Sequence, residues 1–455
     1  MLMTRSLCVR ILLALVLLAP LGAQSPGAFV DEYVHGFNTG EDAMRQFFEK
    51  YALPNPPVEA RLNRYREMRQ NWGELKSAGP ARAEGDGIHA VLRDRSGEAF
   101  EFTFRLSGGK LMGIQVEGPI QDASAAAPAG PPLDEKAALA AASAAVEKRV
   151  AADEFSGAVL IARGQRVVLE TARGFANSET QTPNATGTLF NIGSIPKIFT
   201  KLAVAALWRD GKLKLDDTIA KVLPDYPNKD AAATVTVAHL LNMQSGIGDF
   251  FGPKYAETPK NNIRTLAGYL ELFASEALAF APGTKQEYSN GGYVVLGLLI
   301  ERAAGMSYYD YVRKVVFEPA GMTRTSWPEM DIPTRGRATG YTRRLEPGPG
   351  NSRRSNIYSL PARGSSAGGA YSTVGDLLKF AVALQAGKFV VPNAPADLQT
   401  GGQAIGIAGG APGLNAAFEM GVGPGYTIIV MSNYDPPAAE ALGRELRGVF
   451  KRVRP

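Results

Sequence analysis

Ser194 and Lys197 stand three residues apart in the stretch Asn191-Ile-Gly-Ser-Ile-Pro-Lys-Ile-Phe-Thr200. That pairing can do acyl-transfer chemistry. A serine hydroxyl is a weak nucleophile until a base takes its proton, and a lysine amine one helical turn away is placed to act as that base. The amine must first lose its own proton, which burial and a neighbouring cation favour. Pro196 falls where a first helical turn tolerates a missing N–H, so the serine is expected to open a helix. Ser-x-x-Lys alone is common, and an N-cap serine followed by a surface lysine has the same spelling.

Further along, Glu287-Tyr288-Ser289-Asn290 precedes the apolar run Gly-Gly-Tyr-Val-Val-Leu-Gly-Leu-Leu-Ile, which has helical length. Tyr288 can shuttle a proton if neighbouring cations favour its phenolate. Asn290 can both donate and accept. Taken by themselves these are equally a loop tyrosine and a helix-capping asparagine.

The two motifs in this order resemble the serine β-lactamase and penicillin-binding-protein-like family, in its class C β-lactamase, D-aminopeptidase and esterase branches. Four other segments are similar to that family: Thr236-Val-Ala-His-Leu-Leu-Asn-Met-Gln-Ser-Gly246, Phe280-Ala-Pro-Gly283, Phe317-Glu-Pro-Ala-Gly-Met-Thr-Arg-Thr325 and Gly368-Gly-Ala-Tyr-Ser-Thr-Val-Gly-Asp-Leu377. The resemblance covers roughly residues 150 to 450. It implies an α/β (α+β) β-lactamase-like fold, with one antiparallel sheet flanked by helices and an all-helical subdomain. It also implies an acyl-enzyme mechanism in which Ser194 attacks, Lys197 and Tyr288 share the proton, and Asn290 positions the acyl side chain or the lysine.

The family's third motif carries a lysine or histidine on a strand beside the serine. The matching stretch is Gly406-Ile-Ala-Gly-Gly-Ala-Pro-Gly-Leu-Asn415, where Ile407 takes the place of the cation. None of the three histidines (His35, His89, His239) is nearby, and no lysine lies between Lys388 and Lys451. An oxyanion hole needs only backbone donors. By the resemblance these are the Ser194 and Gly410 N–H groups, with Gly409 beside them. Carboxylate recognition needs a cation, which isoleucine cannot supply, so an uncharged ester or amide is the expected substrate. A D-aminopeptidase, D,D-peptidase or β-lactamase-like cell-wall enzyme is one alternative, with Arg363 reading the carboxylate. A non-catalytic binder of cell-wall peptide or protein is the other. Arg363 and Asn415 are expected in solvated loops, and His239 as a structural residue at a helix start.

The elements that must position these residues follow from the rest of the chain. At 455 residues two domains are the natural division. Met1–Arg10 carries Arg5 and Arg10 without an acid, Ile11–Leu18 is a short apolar core, and Leu21-Gly22-Ala23 ends small. Residues 1–23 read as a secretory signal peptide, so a periplasmic or secreted protein with no membrane span after its removal is expected. Cys8 is the only cysteine, leaving a mature chain without thiol or disulfide.

Residues 28–120 read as a small α+β domain with a cystatin- or NTF2-like outline. Two helices (Asp42 to Tyr51 and Val58 to Trp72) come first. Three strands follow: Ile88–Arg93, a middle strand whose Phe100, Phe102, Phe104 and Leu106 alternate with polar residues and so mark it as half-buried, and Leu111–Glu117. Residues 121–133 are an Ala/Pro-rich linker, and residues 134–455 form the hydrolase-like domain. The formal charge of +5 is too mild to argue for nucleic acid. Arg444, Arg447, Lys451 and Arg454 form one basic stripe on a final helix, expected to be solvated. No spacing points to a metal or cofactor, and the oligomeric state is not legible.

Overall fold

The computed structural model describes residues 25–54, 57–84, 87–95, 97, 99–117, 131–344, 352–399 and 404–454. The expected signal peptide lies outside the described residues, as does most of the expected linker. The chain divides into two compact units at Ala127/Pro128.

The N-terminal unit packs three helices, Pro26–Thr39, Glu41–Tyr51 and Val58–Trp72, on an antiparallel sheet. The first helix was not anticipated. Its signal was Ser25, whose hydroxyl accepts from the Ala28 N–H, followed by Pro26 at the first helical position. The main strands are Gly87–Arg93, Ala99–Ser107 and Lys110–Glu117, paired in that order. Alternation decides which face is buried. Phe100, Phe102 and Phe104 turn to the helices, where the Phe104 ring meets Phe29 at 5.4 Å and Tyr33 at 4.9 Å, both edge-on.

The larger unit is built on a five-stranded antiparallel sheet. Helix α1 (Glu135–Ala151) leads to strands β1 (Gly157–Arg163) and β2 (Arg166–Arg173). After a long helical excursion the chain returns as β3 (Ile405–Ala411), β4 (Leu414–Val422) and β5 (Tyr426–Ser432), and closes with a final helix, Ala438–Phe450. The strand order is β3-β4-β5-β1-β2. Strand β1 is buried on both faces, which explains its unbroken apolar run. Val159 and Ile161 face α1 and the final helix, while Ala158, Leu160 and Ala162 face the helical subdomain. The alanines of α1 (Ala138, Ala142, Ala145) let it lie close to the sheet. The expected β-lactamase-like arrangement is therefore the observed one.

Two helices of the subdomain bear on the site: α2 (Lys197–Arg209) and α3 (Asn290–Ala304), both apolar on most of their circumference because they are buried on most sides. Of the basic stripe, Lys451 and Arg454 are exposed as expected but lie past the end of the final helix, and Arg447 departs from expectation. Arg447 is only 12% exposed and pairs with Glu419 of β4 at 3.2 Å, beneath the edge of the sheet. Among the described residues no helix is long and apolar enough to cross a membrane, and no group of three or more His, Cys, Asp or Glu side chains is placed to hold a metal.

Candidate active site

Ser194 does not cap α2 as expected. It sits in the turn that precedes the helix, with Lys197 N–H donating to the Ser194 carbonyl (3.1 Å) and Ile198 N–H to that of Ile195 (3.1 Å). This tight turn still brings the two side chains together, with Lys197 Nζ 3.2 Å from Ser194 Oγ. Gly193 makes the turn possible. Its φ is +53°, and a Cβ there would lie 2.5 Å from the Gly409 carbonyl carbon and the Gly410 nitrogen.

Lys197 is 8% exposed and contacts three oxygens: Ser194 Oγ, Asn290 Oδ1 at 2.7 Å and the Ala367 carbonyl at 2.5 Å. Burial pulls its pKa down to about 7, against an opposing pull from Asp249. A neutral amine has two N–H groups and one lone pair. The Ala367 carbonyl and Asn290 Oδ1 can only accept, so they take the two N–H groups. The lone pair is then left for Ser194, the one partner with a proton to give. The geometry selects lysine as the base for this serine.

Asn290 could point its amide either way, and Asp249 decides. An ionised carboxylate only accepts, and Asp249 Oδ2 lies 2.6 Å from Asn290 Nδ2, so the amide oxygen must face Lys197. Asp249 was missed from sequence. Its only signal was an acid three residues beyond the segment that ends at Gly246. Packing delivers it: Ser289 Oγ donates to the Gly248 carbonyl at 3.0 Å, and a Cβ on Gly291 would stand 2.3 Å from that same oxygen. Ser289, not Asn290, caps α3, its hydroxyl accepting from Gly292 N–H at 2.8 Å.

Tyr288 Oη lies 2.8 Å from Ser194 Oγ, and its ring has Lys197 Nζ 4.7 Å from the centroid. A phenolate is not what this site favours. Burial and then Asp249 push the tyrosine pKa up, with only the Ser194 hydrogen bond opposing. Tyr288 is therefore a neutral donor to Ser194 Oγ, able to hand its proton onward.

Strand β3 is the sheet edge and runs past the serine. A Cβ on Gly409 would lie 2.4 Å from the Ser194 nitrogen, so only glycine allows this approach. The structure thus brings Ser194, Lys197, Tyr288, Asn290, Gly409 and Gly410 together. Ile407 shares a strand face with Gly409 by alternation and packs against the core of the helical subdomain.

Two polar residues expected in solvated loops are not there. Asn415 is fully buried in β4, because the Pro412-Gly413 turn is so short that the ladder resumes at Leu414. Its Nδ2 donates to the Gly409 carbonyl (3.0 Å) and to Glu440 (2.7 Å), while its Oδ1 accepts from the N–H groups of Ala439 (2.7 Å) and Glu440 (3.0 Å). Arg363 is half-buried, its guanidinium 3.6 Å from the Tyr309 ring centroid and its Nε donating to the Trp327 carbonyl at 2.9 Å. It is tied into packing that a substrate-reading role would have to disrupt. His239 holds the expected structural place, in a reciprocal cap with Thr236.

A serine, a buried lysine and a tyrosine on one hydroxyl, beside an edge strand and within a two-faced antiparallel sheet, define a β-lactamase-like class of site. The family model described as Beta-lactamase matches residues 142–436, and the chain belongs to that family. The chain is 35% identical over 174 residues to "Penicillin-binding protein 4*" of Bacillus subtilis (strain 168), a match covering 38% of each protein. The chain thus spans about two fifths of the length of the curated relatives it matches. Among solved structures, the penicillin binding protein from Bacillus halodurans is 28% identical with a TM-score of 0.57, over 65% of this chain and 96% of that one. The D-amino acid amidase from Ochrobactrum anthropi SV3 shares the fold at 22% identity, with a TM-score of 0.59, over 70% of this chain and 98% of that one.

Proposed function

We propose that this protein is an exported serine hydrolase that forms an acyl-Ser194 intermediate from an ester or amide and needs no anionic group on its substrate. The observation that carries the reading is the convergence on one hydroxyl. Ser194 Oγ lies 3.2 Å from Lys197 Nζ and 2.8 Å from Tyr288 Oη, and Ile407 stands where a substrate carboxylate would need a cation.

In the first step Ser194 gives its proton to neutral Lys197 as Oγ attacks the carbonyl carbon. Backbone N–H groups of Ser194 and Gly410 stabilise the oxyanion, each such donor being worth on the order of 3 kcal/mol. Tyr288 passes a proton to the departing oxygen or nitrogen and is reprotonated from Lys197. Water then attacks the acyl-serine by the same route in reverse. No metal or cofactor enters the scheme.

The test is turnover of a nitrophenyl butyrate by the purified protein and by Ser194→Ala. Serine-dependent release of chromophore supports the reading, and equal release by both proteins rejects it. The peptidase alternative is disfavoured by Arg363, whose guanidinium is stacked on Tyr309. The binder alternative is disfavoured by the intact proton path through Lys197 and Tyr288.

A further inference from the structure

A cavity of about 990 Å³ opens on the hydrolase unit, walled by parts of residues 176–189, 323–326 and 335–337. None of Ser194, Lys197, Tyr288, Asn290 or Gly410 lines it. Backbone bonds tie its walls together. Leu189 N–H donates to the Gly336 carbonyl (2.8 Å), Ala338 N–H to that of Leu189 (3.0 Å) and Thr339 N–H to that of Ala176 (2.8 Å). The cavity is therefore built into the fold.

Its charge is one-sided. Arg324, Arg335 and Arg337 line it, and no carboxylate does. The acids on the flanking segments are engaged elsewhere. Glu179 accepts from the Tyr341 hydroxyl, Glu329 and Asp331 pair with Arg264, and Asp376 pairs with Lys379. Arg337 donates to the Glu329 and Met330 carbonyls (3.2 and 2.9 Å), which fix its charge without neutralising it. Arg324 and Arg335 are exposed, and among the described residues their guanidinium groups have no hydrogen-bond or ion-pair partner. Arg324 is nevertheless held in place. A Cβ on Gly187 would stand 3.6 Å from its Nη1 and one on Gly336 3.4 Å from its Nη2, so the flat group lies on two bare backbones. Gly336 has a φ of +79°, where a larger residue would be strained.

Three cations with no acid among them match a ligand that carries more than one negative charge. A phosphate monoester carries about −1.5 to −2 near neutral pH, and its oxygens fit the guanidinium fork. The volume exceeds what a bare phosphate fills and lies in the range of small-molecule sites. Thr180, Thr182 and Ser326 also line the cavity, and their hydroxyls suit a body that is itself rich in hydroxyl groups. We propose that this cavity is a binding site for a small phosphorylated polyol, with the phosphate on Arg324 and Arg335 and the polyol hydroxyls on Thr180, Thr182 and Ser326. Binding there makes and breaks no covalent bond and is separate from the acyl-transfer chemistry.

Isothermal titration calorimetry of the purified protein near neutral pH tests this, with glucose 6-phosphate, glucose, gluconate and inorganic phosphate as probes. Glucose 6-phosphate should bind about tenfold or more tightly than gluconate or inorganic phosphate, and glucose should not bind. Arg324→Ala and Arg335→Ala should each weaken glucose 6-phosphate binding about tenfold or more, the scale of a charge-assisted hydrogen bond. Arg324→Lys should recover part of the loss. Arg302→Ala, at an exposed arginine outside the cavity, should leave binding unchanged. Gluconate or inorganic phosphate binding as tightly as glucose 6-phosphate overturns the proposal. So does no binding of glucose 6-phosphate, or an affinity that survives both alanine variants. The comparison of the four probes uses wild type alone, so it decides the matter even if a variant fails to fold.

Discussion

Asn415 Nδ2 donates to the Gly409 carbonyl across 3.0 Å, and through it the buried interior of the sheet grips the peptide that carries the Gly410 N–H. The carbonyl of Gly409 and the nitrogen of Gly410 belong to one planar unit. A hydrogen bond to the first fixes the direction of the second and strengthens it as a donor. Asn415 is itself held by the first N–H groups of the final helix and by Glu440, so the oxyanion strand is anchored to that helix end.

Asn415→Leu should therefore lower kcat for butyrate ester by about a hundredfold, the scale of a displaced oxyanion donor, with little change in KM. A loss confined to KM would show that the bond serves substrate binding. Asn415→Asp makes a sharper case, because a carboxylate facing the Gly409 carbonyl cannot donate to it, so at pH 8, where Lys197 is neutral, kcat should fall at least as far as in Asn415→Leu.

The pH dependence follows from Lys197. Catalysis uses its neutral form, and burial lowers its pKa to about 7. The sign is fixed: below that value the amine is charged and cannot accept from Ser194, so kcat/KM rises as pH climbs through about 7 and then levels. Asp249 holds the lysine pKa up, so Asp249→Asn should move the rising limb to lower pH. Stopped-assay profiles of kcat/KM for an ester without titratable groups measure both.

Gly193→Ala tests the cradle under the serine. The substitution places a side chain in the left-handed region, where a Cβ would meet Gly409 and Gly410 backbone atoms at 2.5 Å. Strain and displacement together should cost on the order of 2 kcal/mol or more in stability, read by thermal or denaturant unfolding, and should reduce kcat as well. An unchanged melting temperature would mean that the turn and β3 are not packed as described.

Much of the site was legible because its pieces are local. Ser194 and Lys197 are bound by one turn, and Tyr288, Ser289 and Asn290 by one helix start, so short patterns report them. Asp249 was not legible, because its position beside Asn290 depends on a loop packing against the bare Cα of Gly291. Asn415 was misplaced for a related reason: Pro412-Gly413 reads as a loop, and nothing local says that the turn closes after two residues. The sheet was readable where it is buried on both faces, as in Gly157–Arg163. The N-terminal helix Pro26–Thr39 was hidden by Gly27 and Gly36, which weaken helix propensity, and was recovered by packing of Phe29, Tyr33 and Phe37.

Ile407→Lys probes the third motif. The new ammonium would rise from the strand face that Gly409 presents to the serine turn, so KM for esters bearing a carboxylate on the leaving group should fall about tenfold. Neutral esters should gain nothing. A parallel change for both would separate the residue from substrate charge.

The central claim is that Ser194 is acylated with Lys197 as its base. Rapid quenching after mixing with nitrophenyl butyrate, followed by peptide mass mapping of wild type and Lys197→Ala, reads it directly. A butyryl group on the Ser194 peptide in wild type, formed far more slowly in Lys197→Ala, is the predicted result. Ester turnover with an unmodified Ser194, or acylation that proceeds as fast without the lysine, would contradict it.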